Sequence, residues 1–63
     1  MDEKEKITEV SKALTALGYP SGSEFAMEPL NDDRCKVIYN GTRDHIYDYC
    51  VGIYDFKKHT FVD

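Results

Sequence analysis

Tryptophan is missing from the sequence, proline and cysteine occur twice each, and glycine occurs four times. So little proline and glycine excludes a low-complexity or linker-like chain. Two cysteines are too few for the disulfide framework that holds many small secreted domains together. No apolar run approaches the roughly 18 residues of a membrane span. Residues 1–6, MDEKEK, are charged and lack the apolar core of a signal peptide. A cytoplasmic protein with no membrane partner is therefore the expectation. Positive charge is scarce as well: eight Lys and Arg stand against twelve Asp and Glu, a formal net charge of −4. A phosphate backbone calls for a basic face, so nucleic acid is disfavoured as a general partner.

What the chain does hold is apolar and aromatic, at 41% and 13% of its residues. That is too much, and too regularly spaced, for a disordered segment. Its 63 residues suffice for a single small domain, 1–63. A domain of that size buries only about 60% of the surface its unfolded form exposes.

Ile7, Val10, Ala13, Leu14 and Leu17 recur at steps of three and four, which predicts one amphipathic helix over residues 2–17. Asp2 is placed to cap its start, with Glu5 three residues later; Gly18 and Pro20 mark its end. Residues 19–23 form a connector. They lack the spacing and the lysine of a phosphate-binding loop and follow a helix instead of a strand.

Residues 24–30 alternate, with Phe25 and Met27 on one side, and Pro29, which cannot donate to a ladder, either places that strand at an edge or ends it. Asn31, Asp32 and Asp33 supply a turn; they lack the glycine and further oxygen ligands of a calcium loop. Residues 34–40 form the second strand, with Cys35, Val37 and Tyr39 facing one way. Asn40 and Gly41 signal a two-residue hairpin, but that register would set Asp44 on the core face opposite Val37 and desolvate a carboxylate. A longer loop running to about His45, with the chain re-entering the sheet near Ile46, avoids the conflict. Beyond it, Tyr47, Tyr49, Val51 and Ile53 read as the core-facing row, against Ile46, Asp48, Cys50, Gly52 and Tyr54. Gly52 marks a bend, a bulge or the close approach of another backbone. Residues 55–59 turn the chain into a last short strand at 60–62. The predicted fold is α+β, one N-terminal amphipathic helix packed on a three- or four-stranded antiparallel sheet.

Chemistry-bearing residues are few. Cys35, His45, Cys50 and His59 match a zinc set in number, but nine, four and eight residues intervene where a finger has two to five on each side. Reduced cysteines, no metal and no cofactor are expected. Either cysteine with either histidine makes a catalytic pair on paper only, because strand cysteines usually fill cores and a chain this small has difficulty enclosing a substrate pocket. No catalytic residue is assigned, and a non-enzymatic role is expected.

The stronger signal is the interleaving of tyrosine with aspartate at Asp44, Tyr47, Asp48, Tyr49, Tyr54 and Asp55. Tyrosine brings large contact area at low entropy cost, and neighbouring aspartates complement a basic surface. These six residues are the predicted partner-binding set. The leading reading is a small acidic protein-binding module, an adaptor or inhibitor that docks on the basic surface of a partner protein. Compact acidic accessory and anti-defence proteins of phages and mobile elements work in this way, a comparison of size and charge alone. Two alternatives are a nucleic-acid-binding domain using Arg34, Lys36, Arg43, Lys57 and Lys58 along one sheet edge, and a structural domain that forms a homodimer through a sheet edge.

Overall fold

Asp2 opens the helix as its sequence position suggests: its backbone is extended and its carboxylate accepts the Glu5 amide at 2.8 Å. The computed structural model describes residues 2–63, so Met1, the first residue of the expected span, lies outside the described residues. Helix α1 covers Glu3–Ala16, with Glu3 and Glu5 in the first turn, where negative charge offsets the helix dipole. It closes on Leu17. Gly18 takes φ +100°, and the amides of Gly18 and Tyr19 return to the carbonyls of Thr15 and Leu14. This paired closure satisfies carbonyls that the last turn would leave open.

Four strands follow: β1 (Glu24–Pro29), β2 (Arg34–Gly41), β3 (Ile46–Asp55) and β4 (Thr60–Phe61). They form one antiparallel sheet in the order β1-β2-β3-β4. The α+β layout of one helix and an antiparallel sheet is therefore as predicted, with the fourth strand present. The first turn is held by Asn31, whose side-chain oxygen accepts the amides of Asp33 and Arg34 at 2.9 Å each. The β2–β3 connection is the longer loop, residues 42–45, closed by the Thr42 amide on the His45 carbonyl at 2.7 Å. Gly41 is required there: at φ +93° a Cβ would sit 2.0 Å from the His45 carbonyl oxygen.

The core lies between the middle of α1 and one sheet face. Val10 and Leu14 meet Cys35, Val37, Tyr54 and Phe56, with Ala13, Tyr19, Phe25, Met27, Val51 and Phe61 around them. Each fully buried aliphatic side chain contributes about 1.5–3 kcal/mol. Ile7 and Leu17, at the two ends of the helical stripe, remain exposed.

Strand β3 departs from the expected facing. Val37 pairs with Gly52 while Ile38 pairs with Cys50, so Val51 is an extra residue and the strand bulges there. Before the bulge the odd-numbered Tyr49 faces the helix side, opposite Tyr39; after it the even-numbered Tyr54 does, opposite Cys35. Ile53, predicted for the core row, instead pairs with Lys36 on the other face. Gly52 serves both purposes expected of it. Besides sitting in the bulge it admits the Asp63 carbonyl, which would lie 2.0 Å from a Cβ.

Candidate functional site

Tyr19, Tyr39, Tyr47 and Tyr49 gather at one end of the sheet. Three elements bring them together: the closure of α1 delivers Tyr19, β2 delivers Tyr39, and the start of β3 delivers Tyr47 and Tyr49. Ring centroids lie 4.5 Å apart for Tyr19 and Tyr39, 5.7 Å for Tyr39 and Tyr49, and 6.1 Å for Tyr39 and Tyr47. These are the separations of tilted and offset aromatic pairs. Tyr39 is buried at the centre and its hydroxyl is within hydrogen-bond distance of Ser23, 3.2 Å. Tyr47 and Tyr49 flank it at 52% and 46% exposure. The hydroxyls of Tyr19 and Tyr49 are hydrogen-bonded to each other. That bond, followed by partial desolvation and the neighbouring phenols, pushes Tyr49 up to about 12. The Tyr49 phenol is thus neutral at physiological pH.

Asp44, in the loop, and Asp48, between the two exposed tyrosines, are both solvent-exposed. Four of the six predicted partner-binding residues, Asp44, Tyr47, Asp48 and Tyr49, therefore share one accessible end of the molecule. Ile46, 86% exposed, and Leu17, 59% exposed, add apolar surface. Arg43 and His45 are the other ionisable side chains of the loop. Tyr19 and Tyr39 were not in the predicted set. Tyr39 reads as an inward residue, and its opposition to Tyr49 depends on a register the sequence does not specify. An apolar residue just past a helix-ending glycine usually folds back on the helix, and that is the signal that could have placed Tyr19.

Tyr54 and Asp55 require correction. The bulge turns Tyr54 inward, to 2% exposure, edge-on to Phe56 and Phe61 at 5.1 and 5.0 Å. Its hydroxyl donates to Glu9 on α1 at 2.7 Å. Burial, then this bond to a carboxylate, raises the Tyr54 phenol well above its ordinary range. Glu9 also accepts from His59 Nδ1 at 2.9 Å. Burial works to raise Glu9, but the Tyr54 and His59 hydrogen bonds outweigh it and hold the carboxyl below its usual range. Asp55, 3% exposed, accepts the amides of Lys57 and Lys58 at 2.8 and 3.0 Å and pairs with Arg34 Nε at 3.0 Å. The Lys58 amide is the main reason its carboxyl lies below the ordinary range, opposed by desolvation and assisted by Arg34 and Lys57. Both residues are occupied inside the fold and are not available to a partner.

The remaining chemistry is dispersed. Cys35 is buried on the helix side of the sheet, whereas Cys50 is exposed and pairs with Ile38 on the other; both are free thiols. Burial raises the Cys35 thiol, with Lys6 opposing it. Among the described residues no group of three or more His, Cys, Asp and Glu is placed to hold a metal. No helix among them is long and apolar enough to cross a membrane. Of the five cations named above, Arg34, Lys57 and Lys58 meet at Asp55, while Arg43 lies beyond the other end of β2. No protein-family model matches the chain, and neither a curated protein nor a solved structure matches it.

Proposed function

We propose that the chain is an acidic protein-binding module that covers a basic surface on a partner protein, acting as an adaptor or an inhibitor. Tyr47 and Tyr49 are its anchors, and Asp44 and Asp48 supply the complementary charge. The observation that carries the reading is the exposure of these two rings on a buried aromatic support, Tyr39, beside two solvent-facing carboxylates. Rings braced in this way lose little conformational freedom on docking, and tyrosine is enriched among the residues that dominate binding energy. Their π faces attract guanidinium and ammonium groups, and a net charge of −4 steers encounter with a positive surface.

The test is capture on the immobilised chain from cells of its origin, then purification of the retained protein and measurement of affinity against salt. A partner with a basic surface is expected, its affinity falling as salt rises. Tyr49→Ala is expected to weaken it by about thirtyfold, the scale of one dominant interface residue. Asp44→Lys with Asp48→Lys is expected to abolish capture while circular dichroism stays unchanged. Retention that is indifferent to both variants, or that tightens with salt, would overturn the reading.

A further inference from the structure

We propose that two copies of the chain pair through the open half of β3, antiparallel about a two-fold axis at Tyr49, so that their sheets become continuous. Strand β3 is flanked by β2 from Ile46 to Asp55, but β4 pairs only with Tyr54 and Asp55. The chain beyond β4 reaches one position further: Val62 donates to the Ile53 carbonyl at 2.8 Å, and the Ile53 amide donates to Asp63 at 3.0 Å. Among the described residues no strand lies beside residues 46–51 on that side. A row of unpaired amides and carbonyls is a template for another strand.

The two margins of the sheet are treated differently by the sequence. Strand β1 carries Pro29, Glu24 and Glu28, and its register shifts at Glu24. Proline, charge and irregularity are the usual guards of an edge. The open half of β3 has no proline and no lysine. Its one charge is Asp48, and Ile46, Tyr47 and Tyr49 are its exposed apolar surface. It also has a register shift between Tyr49 and Ile46, and Asp63 occupies the place beside Gly52. The pairing run is therefore short, and the interface falls in the small, transient class below about 1,200 Å².

A second copy fits this edge because the strand is self-complementary about Tyr49. Residues directly opposed in an antiparallel pair lie on the same sheet face. With Tyr49 opposite Tyr49, the rings meet on the helix side, and on the other face Asp48 of each copy meets Cys50 of the other. A register centred on Asp48 would oppose the two carboxylates and is penalised. The chosen register also sets the two tyrosine clusters side by side. Each copy carries net charge −4, so the copies repel at long range and salt favours their association. Salt acts in the opposite direction on docking to a basic partner, so either proposal can fail alone.

Sedimentation equilibrium of the full chain under reducing conditions, across a concentration series at low and high salt, tests it. A monomer–dimer equilibrium that tightens with salt is expected. Cys50→Lys creates two cross-strand pairs with Asp48 and is expected to tighten the dimer by between about twofold and about thirtyfold. Cys50→Asp opposes like charges and is expected to leave a monomer. Both changes lie on an exposed strand position, and circular dichroism checks that each variant is folded. A chain that stays monomeric at every concentration, with Cys50→Lys also monomeric, overturns the proposal. So does a dimer that neither variant moves, or one that loosens with salt.

Discussion

The two ends of β3 carry the same pair of residue types and use them in opposite ways. At one end Tyr47, Asp48 and Tyr49 stand in solvent; at the other Tyr54 and Asp55 are buried. Neither ring chemistry nor charge separates them. The difference is coverage: the middle of α1, the β3–β4 turn and β4 close over residues 53–55, while residues 46–50, apart from the Tyr19 ring against Tyr49, stand exposed. Where there is cover, every polar atom finds a partner, Tyr54 on Glu9 and Asp55 on Arg34, Lys57 and Lys58. That matching matters because a buried polar atom without a partner costs about 1–3 kcal/mol. Tyrosine beside aspartate is thus a structural clasp at one end and a presented surface at the other.

Thermal unfolding sharpens the contrast most. Tyr54→Ala removes a buried ring from a core with few large side chains, at a cost of about 3–5 kcal/mol. Domains of this size often have little more than about 5 kcal/mol in total, so the variant is expected to be largely unfolded at room temperature by circular dichroism. Tyr47→Ala and Tyr49→Ala are expected to cost no more than about 1 kcal/mol each, the scale of a surface change. Tyr54→Phe keeps the ring and loses the bond to the Glu9 carboxylate, an intermediate loss of about 1.5–3 kcal/mol. If Tyr49→Ala unfolds the chain as Tyr54→Ala does, the two ends are not different in kind and the presented surface is part of the core.

The same difference between the ends of β3 marks where residue pattern alone is informative. The helix was legible because its apolar spacing, its cap and its closing glycine agree. The longer β2–β3 loop was legible because the shorter one would have buried Asp44. Gly52 was legible as an irregularity, since a glycine in a strand usually marks one. What could not be read was the consequence of that irregularity. One inserted residue, Val51, exchanges the faces of everything after it, so Tyr54 moved from the predicted outer row into the core, while Asp55, on the face away from the helix, is enclosed by Arg34 and the Lys57 and Lys58 amides. The ion pair of Arg34 with Asp55 follows from the same register, and the gathering of Tyr19 with Tyr49 depends on how α1 lies across the sheet. Pattern gives the period of each element, but its phase across a bulge is set by tertiary contacts.

Acid separates the two ends by a smaller margin. Glu9 and Asp55 have folded-state pKa values below their ordinary ones, so on acidification the unfolded chain takes up protons first. Their contribution is present in full above the ordinary carboxylate range, about pH 4, and is lost as pH falls through the folded values. The melting temperature is therefore expected to decline below about pH 4. Glu9→Gln and Asp55→Asn should lower the melting temperature near neutral pH and flatten that decline. Asp48→Asn, at the exposed end, should leave the melting temperature near neutral pH unchanged. A melting profile of Asp55→Asn parallel to that of the unaltered chain across this window would remove Asp55 from the clasp.

The smallest effect expected concerns the phenols of the open end. Tyr49 is held up to about 12, first by its hydrogen bond with Tyr19. A phenol whose folded pKa is raised favours the fold while it is neutral. Its contribution is complete below the ordinary tyrosine value of about 10 and disappears as pH rises through the folded value. Following phenolate absorbance against pH should show Tyr49 ionising late, as the buried Tyr54 does. In Tyr19→Phe the ring remains while the hydroxyl is gone, so the Tyr49 titration should move back toward the ordinary value with little change in melting temperature at neutral pH. An unmoved titration would mean that Tyr49 is not held by Tyr19. The rings at the open end would then lack the bracing that makes a presented tyrosine cheap to dock.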